Sequence, residues 1–162
     1  MKIRDLMTKH VASVHATDST AVAARMMWDC DCGAIPVLDD DGCVIAMITD
    51  RDICMATLMR DRAPSAIPVS EAMSHDLQCC GPDDNVSAAE QMMRAHQVRR
   101  VPIVDRERRP LGMLSLADIA RASDQRPGRG ARPVAAEEVA GTLAEICTMP
   151  ARNANPPKPA AF

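Results

Sequence analysis

The chain has 162 residues, 47% of them hydrophobic, and a formal net charge of −3. That length makes one ordinary domain, or two small units sharing a core. With one Trp, one Phe and no Tyr there is no aromatic platform for stacking bases, which argues against single-stranded nucleic acid as a ligand.

The core must be filled by Val, Ile, Leu, Ala and twelve Met, a residue that adapts to irregular gaps. The small net charge hides an asymmetry. Residues 1–98 carry 8 Lys/Arg against 15 Asp/Glu, a balance of −7, and residues 99–132 carry 9 Arg against 4 acids, a balance of +5. A basic half serves phosphate binding or docking on an acidic surface, or is simply a solvated Arg-rich face. Seven Cys is an odd number, Met1 to Asp5 lack the apolar run of a signal peptide, and no stretch approaches the ~18 apolar residues of a membrane span. The expectation is a cytoplasmic protein with reduced thiols and no membrane contact.

In chain order, Val11 to Val14 is short and β-compatible. Thr17-Asp18-Ser19 signals a helix start, with Ser19 as N-cap, and a helix is predicted over 20–31. Its Val22/Met26 and Ala23/Met27 pairs keep the spacing of a buried stripe, and Gly33 suits a C-cap. Ala34 to Leu38 reads as a buried strand, Asp39-Asp40-Asp41-Gly42 as a turn with Gly at positive φ, Cys43 to Ile48 as a second strand and residues 50–60 as a helix. Pro64 and Pro68 mark a linker.

The pattern then recurs. At an offset of 66 and without a gap, Met7, Asp18, Ala23, Met26, Met27, Pro36, Asp39, Met47, Asp52 and Ile53 meet Met73, Asp84, Ala89, Met92, Met93, Pro102, Asp105, Met113, Asp118 and Ile119. A repeat of this length means two equivalent supersecondary units related by a pseudo-twofold axis. Residues 124–133 read as a Gly/Pro/Arg-rich linker, 134–147 as an amphipathic helix weakened by Gly141, and 150–162 as a disordered tail. The expected division is 1–63, 64–124 and 125–162.

Chemistry concentrates where each second strand gives way to a helix. Thr49 with Asp52, and Ser115 with Asp118, place a hydroxyl and a carboxylate three residues apart at a helix N-terminus, where free N–H groups and the helix dipole attract anions. Such a carboxylate can accept bonds from a vicinal diol such as ribose. The competing reading is a capping box, in which hydroxyl and carboxylate satisfy only the helix end. In Ile35-Pro36-Val37 and Val101-Pro102-Ile103 the Pro removes a ladder donor, so it belongs at a strand start or edge, where freed backbone groups can meet a nucleobase.

These stretches resemble a known family. Asp5-Leu6-Met7-Thr8, Gly33 to Asp39 and Ile48 to Ile53 in the first unit, with Glu71-Ala72-Met73-Ser74, His96 to Asp105 and Leu114 to Ile119 in the second, are similar to the cystathionine β-synthase (CBS) domain. The two together resemble a CBS pair, or Bateman module, over about residues 3–123. The resemblance implies an α/β (α+β) fold of two tandem β-α-β-β-α units, a disc-like dimer of pairs, and clefts between the units that bind adenosine nucleotides such as AMP, ADP or ATP. It assigns Thr49, Asp52, Ser115 and Asp118 to ribose and phosphate, Ile35, Pro36, Val101 and Pro102 to the base, and Arg99 and Arg100 to phosphate. Arg99-Arg100 stand where the first unit has Gly33-Ala34, so the two sites are expected to differ. No required cofactor and no catalytic constellation is read. The function expected is a regulatory module, homodimeric, that signals to a separate protein. The alternative is a metal or redox sensor built on Cys30, Cys32, Cys79, Cys80 and the four His; free Cys packed as small hydrophobes is the simpler account.

Overall fold

The computed structural model describes residues 1–9, 11–124 and 135–148. After a 3₁₀ turn at Ile3–Asp5 come β1 (Thr8–Lys9), β2 (Val14–His15), α1 (Thr20–Asp29), β3 (Ala34–Leu38), β4 (Val44–Thr49) and α2 (Asp50–Arg60). Two further 3₁₀ turns lead to α3 (Val86–His96), β5 (Arg100–Val104), β6 (Pro110–Ser115), α4 (Leu116–Asp124) and α5 (Ala136–Cys147). The architecture is mixed α and β, with the two equivalent units that the repeat implies. Asp124, predicted to open the linker, is instead the last residue of α4; the rest of that linker, 125–133, and the tail at 150–162 fall outside the described residues, as does His10.

The repeat is visible in what its shared aspartates do. Asp18 Oδ2 accepts the N–H of His15 at 2.8 Å, and Asp84 Oδ2 accepts that of Gly81 at 2.8 Å. Asp39 Oδ1 accepts from the N–H groups of Asp41 and Cys43, and Asp105 Oδ1 from those of Glu107 and Arg109. Each carboxylate closes its own loop by taking up amides that the turn leaves without a partner. The left-handed positions repeat as well: Asp31 (φ 49°) with Gln97 (φ 53°), and Gly42 (φ 79°) with Arg108 (φ 64°).

Several local expectations are corrected. The left-handed residue that ends α1 is Asp31, so Gly33 is not the C-cap. Ser19 holds the N-cap position, but its side chain makes no capping bond. In the α1 stripe Ala23 and Met27 are buried while Val22 is 45% exposed. Pro36 sits mid-strand in β3, the central strand of its sheet. It is tolerated there because β2 pairs only with Val37 and Leu38, so the flank from Pro36 back to Ala34 is an edge.

Two three-stranded sheets are described, ordered β2-β3-β4 and β1-β6-β5. Their membership crosses the repeat. β1, from the start of the chain, pairs antiparallel with β6, Lys9 opposite Gly112. The approach is so close that a Cβ on Gly112 would lie 2.6 Å from the Thr8 carbonyl oxygen, so only glycine fits. Ile3 is fully buried in the second unit's core with Val101, Ile103 and Leu114, and its N–H donates to Asp84 O at 3.0 Å. In return Val69 enters the first unit's core beside Val14, Ile35 and Ile48, and its N–H donates to Asp18 O at 2.7 Å. The two lead-in segments are thus exchanged, and neither core is complete without the other half of the chain.

α5 packs against α3 and α4. Ile146 is buried in the second core, and Arg94 donates to Thr142 Oγ1 through Nε at 2.9 Å and Nη2 at 2.6 Å. Thr142 Oγ1 also lies 2.8 Å from Glu138 O and 3.3 Å from Glu90 Oε1. One hydroxyl has one proton, and the nearer carbonyl takes it. Glu90, 5% exposed, then faces an oxygen that donates nothing to it, and burial pushes its carboxyl above the ordinary value of 4.5. Between that value and the raised one, the native state holds a proton that the unfolded chain has released. The contribution of this group to stability therefore falls as pH rises through this window and is gone above it. Glu90→Gln keeps the shape without the charge. It is expected to raise Tm at neutral pH, with the gain vanishing as pH falls below 4.5; a Gln variant less stable at neutral pH would mean that Arg94 holds Glu90 as a paired carboxylate.

Candidate functional site

Between the units lie two clefts. The smaller, about 480 Å³, is bounded by Thr49, Asp50, Arg51 and Asp52 where β4 meets α2, by Ser74, Asp76 and Gln78, and by Gln97 to Arg100 with Pro102 from the second unit. The larger, about 700 Å³, is bounded by Ser115, Asp118 and Arg121 where β6 meets α4, and by Cys30 to Ile35 of the first unit. Thr8, Arg99, Arg100 and two residues of α5 are also in its lining. Each cleft therefore joins the hydroxyl–carboxylate junction of one unit to the strand entrance of the other.

Of the ten candidate residues, Thr49, Asp52, Arg99, Arg100 and Pro102 meet in the smaller cleft. Ile35, Arg99, Arg100, Ser115 and Asp118 meet in the larger. Arg99 and Arg100 stand between the clefts and border both. Pro36 and Val101 border neither. Alternation along a strand turns Val101 into the core, where it is fully buried. Arg121, absent from the candidates, is placed by helical spacing one turn after Asp118, the only signal for it in the sequence.

At both junctions the capping box is formed. Thr49 donates to Asp52 Oδ2 through its N–H at 2.9 Å and its hydroxyl at 2.7 Å, and receives the Asp52 N–H on Oγ1 at 3.1 Å. Ser115 and Asp118 repeat this at 2.8, 2.6 and 3.2 Å. Each bond that the carboxylate accepts falls on Oδ2. Asp52 Oδ1 accepts no hydrogen bond among the described residues, while Asp118 Oδ1 is paired with the Arg121 guanidinium. The box and the ligand reading are therefore compatible, since the helix uses one carboxylate oxygen and leaves the other outside the box, on a residue that lines the cleft. They differ between clefts, because a ligand reaching Asp118 must share it with a side chain that is 68% exposed and easily moved.

The cysteines give less chemistry. All seven are free. Burial pushes the thiols of Cys32 and Cys79 up, and that of Cys80 to about 11, so at neutral pH they are protonated and poorly nucleophilic. Among the described residues no three His, Cys, Asp or Glu side chains converge as for a metal.

The geometry generates a paired expectation. Asp52→Ala and Asp118→Ala should each weaken binding of a diol ligand such as adenosine by about 1.5–3 kcal/mol, the worth of charge-assisted hydrogen bonds. Each should also lower stability by about 1 kcal/mol, the worth of a cap. Calorimetric titration and urea unfolding separate the two. Lost stability with unchanged affinity would leave only the cap.

Comparison with known proteins agrees with this architecture. The family model of the CBS domain matches twice, over residues 3–59 and 69–125. The CBS domain-containing protein YhcV of Bacillus subtilis (strain 168) is 39% identical over 118 residues, 73% of this chain and 82% of that one. A crystal structure of Hypoxic Response Protein I with two coordinated zinc ions has a TM-score of 0.68 at 31% identity, covering 75% of this chain and 98% of that one. The CBS domain pair of protein MJ0100, in complex with 5′-methylthioadenosine and S-adenosyl-L-methionine, has a TM-score of 0.68 at 24% identity, covering 75% and 94%. With two matches filling most of its length and two clefts between the matched halves, the chain belongs to the CBS-domain family as a tandem pair.

Proposed function

We propose that the protein is a regulatory module, not an enzyme, whose clefts bind adenosine nucleotides or related adenosyl compounds and whose occupancy is passed to a separate protein. In this reading the units run over 1–63 and 64–124, with 125–162 appended. The observation that carries it is the pairing, in both clefts, of a carboxylate at a helix N-terminus with a strand entrance of the other unit, with Arg99 and Arg100 bordering both clefts. The carboxylate suits a ribose diol. The two guanidiniums suit phosphate, which they can grip through two oxygens at once. The adenosyl ligands of the MJ0100 pair support the class of ligand. Seven free cysteines suit a reducing cytoplasm, and no helix among the described residues is long and apolar enough to cross a membrane.

A thermal-shift panel of AMP, ADP, ATP, NAD(H), S-adenosylmethionine and Zn²⁺ tests this, because a ligand stabilises the native state as ln(1 + [L]/Kd). At least one adenosyl compound should raise Tm. The double variant Arg99→Gln/Arg100→Gln should weaken ATP by about tenfold or more while changing adenosine little. No shift from any adenosyl compound at millimolar concentration would sink the reading. A shift with Zn²⁺ alone, abolished by Cys30→Ser/Cys32→Ser, would favour the metal-sensor reading that the zinc ions of Hypoxic Response Protein I raise.

The proposed homodimer is formed through the first unit. α5 covers α3 and α4, whereas the equivalent α1 and α2 present Trp28 (82% exposed), Leu58 (72%) and Met59 (63%) with Val22 and Met55. Trp28 occupies the position that Arg94 holds in the second unit, where Arg94 binds α5. An apolar face of this kind is matched by its own copy across a twofold axis. Sedimentation should give twice the mass of the chain at tens of micromolar, and Leu58→Asp should reduce it to one chain with unchanged circular dichroism. A wild-type monomer at that concentration would rule the interface out.

A further inference from the structure

We propose that α5 is a working wall of the larger cleft, so that its docking and ligand binding there are coupled; the proposal rests on the adenosyl reading of that cleft. Val139 and Leu143, one turn apart on α5, border the same cavity as Ser115, Asp118 and Arg121. The helix also reaches the cleft's basic edge. Gln97 Nε2 donates to Thr148 O at 2.8 Å, and Arg99 Nη2 lies 3.8 Å from Cys147 Sγ. One face of α5 thus supplies apolar surface to whatever lies over Asp118, while its end holds the approach to β5, from which Arg99 enters both clefts. The smaller cleft has no residue of α5 in its wall.

The attachment is of the strength that a ligand can shift. Leu143 is 46% exposed, so it borders the cleft without anchoring the helix. The anchors are Ile146, the half-buried Val139 and the Arg94 bonds to Thr142 Oγ1 and Glu138 O. Gly141 lies mid-helix, where glycine costs about 1 kcal/mol against alanine. No close approach requires it, since an added Cβ would meet nothing nearer than Arg94 Nη2 at 3.9 Å. A ligand filling the space between α4 and α5 adds contacts to Val139 and Leu143 that exist only while α5 is docked. By linkage, binding then stabilises the docked helix and the docked helix strengthens binding by the same factor.

Hydrogen exchange over residues 136–147 of the full chain, with and without a saturating probe, tests this. The probe is whichever of AMP, ATP and S-adenosylmethionine gives the largest thermal shift. Exchange in this segment should slow by about tenfold, and Asp118→Asn should remove the effect. Leu143→Ala should weaken the probe by about tenfold, the order of one to two buried methylenes, and leave the Tm of the free protein within about a degree. Gly141→Ala should slow exchange in the free protein. If a probe binds while exchange in α5 and the affinity of Leu143→Ala stay unchanged, α5 is only a structural cover and the proposal falls with the adenosyl reading intact. If no probe binds, both fall together.

Discussion

The organisation of the molecule depends on one requirement, that backbone amides at a strand-to-helix junction find acceptors. At residues 49–52 and 115–118 a single carboxylate oxygen does this, taking the N–H and the hydroxyl three residues before it. The bonds fix the direction of α2 and α4 relative to β4 and β6, and they hold each carboxylate in the lining of a cleft with its second oxygen outside the capping box. The same device, an aspartate folded onto nearby amides, shapes the loops at Asp18 and Asp84 and the turns at Asp39 and Asp105. Three of the ten positions identical between the repeats are these aspartates. Loops have no ladder to satisfy their donors, so a short acidic side chain must do it.

A second constraint follows from the exchange of lead-ins. Each core contains a buried segment from the other half of the chain, Ile3 in one and Val69 in the other. The halves are therefore held in register by cores, which resist deformation, and not by surface contact alone. That is why both clefts can be assembled from two units without losing geometry. Gly112 marks the tightest point of the arrangement, where β1 lies on β6.

Within this near-symmetric frame the differences are local and chemical. Arg99 and Arg100 replace Gly33 and Ala34, Arg121 occupies the second carboxylate, and α5 lies over one pair of helices while no described helix lies over the other. The buried contact of Glu90, Thr142 and Arg94 shows how α5 is seated: a polar cluster at a helix interface gives orientation at some cost in stability, since desolvation disfavours the Glu90 charge.

The sequence by itself determined the repeat, the order of its elements and the two junctions. Each is written in local signals: an offset of 66, α2 from Asp50 to Arg60, the turn at Gly42, the paired hydroxyl and carboxylate. Eight of the ten candidate residues named from the sequence border a cleft, because helix starts and strand entrances are local features; that Arg99 and Arg100 border both clefts came only from the fold. Pro36 and Val101 show where the local reading ended. Membership of the right strand does not say which face is turned to the cleft, and Val101 faces the core. The exchange of lead-ins, the second oxygen of Asp118 taken by Arg121, and α5 as part of the larger cleft were decided by tertiary structure alone. They depend on contacts between residues as far apart as Arg94 and Thr142 or Ile3 and Asp84, and no periodicity within one element encodes which distant surface it will meet.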